Sequence, residues 1–197
     1  MQGDKYSIDM CSGPIFSKII LFSVPLILSG ILQLMFNAAD LIVLGRFASP
    51  EAMAAVGATA FLTNLIVNVF IGLSIGTNVL AANYLGAKNW KNTSRTVHTA
   101  IAVSLAGGAA LAIIGIPISK PLLEMMSTPD DIIGMAALYM WIYCAGLPFI
   151  LLYNFGSAVM RAAGDTRRPL LYLVIAGIVN VILNIVFVLG LHIDVAG

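Results

Sequence analysis

Asp40 sits near the far end of an apolar run, Ile19–Leu44, that carries no other charge. As a helix this run would reach roughly 39 Å, more than the ~30 Å hydrocarbon core of a bilayer. A carboxylate at membrane depth is costly, and such residues usually face a bundle interior or a water-filled path. Burial disfavours the charged form of a carboxyl group, so an acid placed there can take a proton from one side and release it to the other. With amide oxygens completing its shell it could instead hold a sodium ion. Either role makes Asp40 an ion-coupling group. Beyond such a sodium, no metal site and no cofactor are expected.

Other polar residues repeat at helical spacing. Ser29, Gln33, Asn37 and Asp40 follow at intervals of four, four and three, which puts them on one helix face. Gln33 and Asn37 either line a cavity or pack as interhelical hydrogen bonds. Pro25, a turn below, removes one helix hydrogen bond and crowds the preceding turn, so it is a point where the helix bends. Asn64 and Asn68, and then Ser74 and Asn78, form two pairs at the same spacing, again as cavity lining or helix glue. Gly72 and Gly76 read as a small-residue step for close helix packing. Tyr139 and Tyr143 share a face, with Tyr153 near it, and such rings either receive flat cations or belong to an interfacial belt. Asn180 and Asn184 also share a face and could join Asp40 in one network or serve as packing contacts.

These residues need membrane helices to hold them. Sixty per cent of the chain is hydrophobic and ten per cent charged, whereas a soluble domain carries about 25% charged residues. The solvent for so much apolar surface is lipid. The expected fold class is an all-α polytopic membrane protein. Its spans cover about Phe16–Leu44, Ala54–Tyr84, Val97–Ile118, Ile132–Met160 and Leu170–Leu191. Lys5, Lys18, Lys88, Lys91, Arg95, Arg161, Arg167 and Arg168 fall on one set of joints, and Arg46 and Lys120 on the other. By the positive-inside rule the amino terminus is cytoplasmic and the first helix runs outward, with Asp40 in the outer half of a cytoplasmic (inner) membrane. The chain stops just after the fifth exit, which reads as part of a longer protein.

Several functions find no support. Cys11 and Cys144 stand far apart and outside any metal pattern, and His98 and His192 are isolated. There is no phosphate-binding loop, nucleophile elbow or zinc-protease motif, so neither an enzyme nor a nucleic-acid binder is expected. The polar segment Met1–Ser17 ahead of a long apolar run argues against a cleavable signal peptide.

Four stretches resemble the multidrug and toxic compound extrusion (MATE) transporters. They are the first helix with Pro25, Gln33 and Asp40 ahead of Gly45; AANYLGAKN at Ala81–Asn89; RAAGDTRRP at Arg161–Pro169; and NVILN at Asn180–Asn184. The resemblance implies twelve helices in two six-helix lobes, of which this chain holds most of the first, with the carboxy-terminal lobe as partner. It implies export of cationic or amphipathic drugs against entering protons or sodium. It also implies that Asp40 is the coupling acid, that Pro25 is the bending proline, and that Asn180 matches a family asparagine. Asn184 stands where some members carry a second acid, which favours a proton over sodium. A related lipid-linked oligosaccharide flippase is the alternative, yet its pyrophosphate would call for basic cavity residues, and Asp40 is the intramembrane charge here. A non-transporting membrane scaffold is the alternative from another class.

Overall fold

The computed structural model describes residues 14–190, and Lys5, Cys11, His192 and the chain end after Gly190 lie outside them. The chain is all-α. Its helices are α1 (Ile15–Phe47), α2 (Pro50–Gly86), α3 (Trp90–Met125), α4 (Asp130–Ala162) and α5 (Arg167–Ile185), the last continued by a π-helical turn, Val186–Gly190. All five are long and apolar enough to cross a membrane, so this is a multi-pass membrane protein.

The helices outrun the apolar spans that hydropathy marks. α3 begins at Trp90 and ends at Met125, taking in polar residues at both ends as well as Pro117 and Pro121. Apolarity reports only the part of a helix in lipid, while backbone hydrogen bonding carries the helix on into the headgroup layer. Local chemistry sets the ends. The Ser49 hydroxyl accepts from the Ala52 amide at 3.2 Å, with Pro50 as the first helical residue of α2. Asn89 Oδ1 accepts from the Asn92 amide at 3.1 Å at the start of α3. Lys88 (φ 53°) and Ser127 (φ 59°) reverse the chain after α2 and α3.

α2, α3 and α4 pack closely on one another, with α4 in the middle. Their core is Ala55, Leu123, Ile132, Ala136, Ala137, Met140, Cys144 and Leu147. Gly108 lets α3 touch the α4 backbone, since a Cβ there would stand 2.5 Å from the Pro148 Cα. Gly72 and Gly76, whose spacing reads as a packing step, meet nothing within 4 Å among the described residues. The close approach is made elsewhere, at Gly108.

α1 and α5 form a second body. They pack on each other and touch the other helices only lightly, α1 at α2 and α5 at α4. Phe36 lies where a Gly177 side chain would be, and Asp40 meets Asn184. Both contacts advance in the same direction along the two helices, so α1 and α5 run parallel.

Candidate ion site between α1 and α5

α1 is a continuous helix through Pro25, its one buried residue. The Ser29 hydroxyl donates to the Pro25 carbonyl at 2.7 Å, in the turn that follows the one Pro25 deprives of a backbone hydrogen bond. Fifteen residues further on, Asp40 is half-buried. Its Oδ1 accepts a hydrogen bond from Asn184 Nδ2 at 2.5 Å. The direction follows from chemistry, because an ionised carboxylate only accepts and the amide must turn its nitrogen toward it. The π-helical turn begins two residues after Asn184 and packs against α1. Such turns widen the helix locally and recur at functional sites.

The other sequence-derived candidates divide. Asn180, one turn before Asn184, is exposed and makes no side-chain hydrogen bond among the described residues. Gln33 and Asn37 share the face of Asp40 and are exposed, so they border the acid without capping it. Tyr139 of α4 lies within electrostatic reach of Asp40 and stacks on Tyr143, with ring centroids 6.2 Å apart and planes inclined by 20°. The hydrogen-bond partner the structure gives Asp40 is the Asn184 amide; the stacked tyrosine pair belongs to α4, which does not pack on α1. Tyr153 does not join them; its hydroxyl donates to the Pro169 carbonyl at 3.1 Å. Asn64 and Asn68 are exposed and return their amides to their own helix, at Ala60 O (2.7 Å) and Asn64 O (2.8 Å). Asn78 is the asparagine of α2 that bridges helices, donating to Ala158 O of α4 at 2.7 Å.

The RAAGDTRRP stretch is an elbow between α4 and α5. Gly164 (φ 81°) takes the left-handed conformation that ends α4, and the Asp165 amide bonds back to Met160 O at 3.0 Å. The buried Asp165 carboxylate then starts α5, with Oδ1 accepting from the Arg167 and Arg168 amides at 3.1 and 3.0 Å. Its Oδ2 pairs with Arg168 Nε at 3.3 Å. A turn signal is legible at Gly164–Asp165 from sequence. The double capping by Asp165, and the Phe36–Gly177 contact that sets the register of α1 on α5, are not. The only hint of the latter was a lone glycine amid bulky residues.

The MatE family model matches residues 25–186, from Pro25 to the π-helical turn. The chain belongs to the MATE transporter family. It is 30% identical over 90% of its length to the Bacillus subtilis (strain 168) protein named as a probable multidrug resistance protein, YoeA, of which it covers 38%. It is 25% identical over 92% of its length to a protein of Shewanella oneidensis named as an FAD transporter, of which it covers 40%. Among solved structures it matches a MATE crystal structure in complex with MaD3S, with a TM-score of 0.85 and 26% identity, over 91% of this chain and 40% of that one. The chain therefore spans about two fifths of the length of the relatives it matches. Five apolar helices over that share correspond to one lobe of a MATE transporter.

Proposed function

We propose that this MATE lobe belongs to an ion-coupled antiporter that exports cationic or amphipathic drugs across the cytoplasmic membrane, with the amino terminus on the cytoplasmic side. Asp40 is the coupling acid and Asn184 its positioning partner. The observation that carries this reading is the Asn184–Asp40 hydrogen bond, which ties the one intramembrane carboxylate among the described residues to a neighbouring helix. Proton uptake removes the charge that the amide stabilises and turns Asp40 from a pure acceptor into a group that also donates. The contact between α1 and α5 is remade each time the ion enters or leaves. Pro25 supplies the point at which α1 yields to that change, because the turn before it lacks a backbone hydrogen bond. Tyr139 and Tyr143 offer aromatic faces to an organic cation beside the acid.

A proton is favoured over sodium because an amide stands at 184, leaving one carboxylate for the shell. The flippase alternative is disfavoured because Asp40 is met by the Asn184 amide, and no basic side chain among the described residues pairs with it to hold a pyrophosphate. Asp40→Asn in the full-length protein keeps the size and polarity of the side chain and removes the exchangeable charge. Ethidium efflux from loaded cells, with and without an imposed pH gradient, is expected to fall to background, a loss of at least about a hundredfold if the step needs an ionisable group. Undiminished efflux at normal expression would remove the coupling role from Asp40, whereas absence of efflux from the wild type as well would leave the scaffold reading.

A further inference from the structure

We propose that the groove between the starts of α1 and α5 binds an anionic phospholipid, its phosphate at Arg167 and its acyl chains along the apolar walls. The groove is a cavity of about 900 Å³. Leu21, Val24 and Pro25 of α1 form one wall and Leu171 and Val174 of α5 the other, with Arg167 and Arg168 at the end where both helices begin. Arg168 is held at that mouth by Asp165, and Arg167 is exposed. The lining is amphipathic along its length, cationic at one end and apolar for the rest.

Charge across the whole bundle agrees. Lys18, Lys88, Lys91, Arg95, Arg161, Arg167 and Arg168 lie at the end of the bundle where α1, α3 and α5 start, and Asp165 is the acid among them in the described residues. At the opposite end Arg46 and Lys120 stand among Glu51, Glu124, Asp130 and Asp131. Basic pockets between membrane helices hold anionic headgroups. A soluble anion gains nothing from the apolar walls, a drug cation is repelled by the guanidinium groups, and a zwitterionic lipid lacks the net charge. An anionic phospholipid satisfies both ends of the groove. Pro25 lines this site, so the lipid lies against the turn of α1 that lacks a backbone hydrogen bond. The inference rests on the membrane placement of α1 and α5 and not on the coupling role of Asp40.

The test is native mass spectrometry of the purified full-length protein, released from micelles holding equal amounts of phosphatidylglycerol and phosphatidylcholine. The wild type is expected to retain phosphatidylglycerol in about fivefold preference, the scale of one basic residue at a membrane surface. Arg167→Gln is expected to lose most of that preference. Leu171→Trp, which fills the groove from an exposed position, is expected to lower retention of both lipids. Excess inorganic phosphate should leave retention unchanged. Equal retention of the two lipids by the wild type would overturn the site, as would a preference untouched by both substitutions, the result if another segment of the full-length protein covers the groove. Displacement by phosphate alone would show a soluble-anion site and overturn the lipid assignment. Lipid retention is read without transport, so a failed efflux assay leaves this result standing.

Discussion

The α2–α4 unit and the α1/α5 pair are built from the same apolar residues, yet they are held together differently. In the unit, α4 alone buries ten side chains, among them Met140, Leu147, Leu151 and Phe155. Three of the unit's buried hydroxyls turn back on their own helices: Thr59 on Val56 O, Ser104 on Ile101 O and Ser119 on Ile116 O, each at 2.8 Å. Such bonds satisfy the groups without tying one helix to another. In the pair, α1 buries only Pro25, and α5 only Pro169 and Gly177. What joins α1 to α5 is a ring set over a glycine and an amide set on a carboxylate. The contrast teaches that the packed unit is the frame and the α1/α5 interface is thin, so that in the proposed coupling role one protonation of Asp40 would change a large share of the contact.

Five perturbations would sharpen or break that contrast. Gly108→Ala should be the most damaging to the frame, because the new Cβ would meet the Pro148 backbone, which cannot swing aside. A loss of about 3 kcal/mol is expected, read as a lower melting temperature of the detergent-solubilised protein. A melting point unchanged by this substitution would mean that α3 and α4 are not locked as described. Asn184→Ala should leave melting almost unaltered and reduce proton-driven efflux about tenfold, the scale of one hydrogen bond to a charged group. Asn184→Asp at the same place adds a second carboxylate and should make efflux respond to sodium; indifference to sodium would argue against a shared shell.

Gly177→Ala comes next, at about 1 kcal/mol. Its Cβ would strike the Phe36 ring, a side chain that can move, and Phe36→Leu in the same protein should restore the melting temperature. If the double variant is no better than the single, the ring does not set the register of α1 on α5. The smallest effect belongs to Asn64→Ala with Asn68→Ala. Both amides bond only to their own helix, so stability should change by less than about 0.5 kcal/mol. A large fall in drug efflux from this pair, with melting unchanged, would move the substrate path to α2.

Much of this was legible in one dimension. Twenty or more apolar residues can span lipid only as a helix, since every backbone group must find its partner within the segment. The face that carries Gln33, Asn37 and Asp40 follows from the helical period alone. The choice between Asn180 and Asn184 does not, since both lie on one face and only the axial register of α5 against α1 decides which amide reaches the acid. Gly72 and Gly76 show the same gap. Their spacing suits close approach, but among the described residues nothing lies within 4 Å of where their side chains would be, and Gly108 and Gly177 make the contacts seen.

Composition and spacing alone therefore determined that the chain lives in a membrane, how many times it crosses, and that Asp40 is an acid out of place in lipid. Tertiary structure decided that Asn184 partners it, that Tyr139 stacks on Tyr143, and that Asp165 locks the elbow leading into α5. The reason is physical: hydropathy and helical period act along a single segment, whereas the rotation and sliding of one helix against another are settled by sterics between residues far apart in the chain.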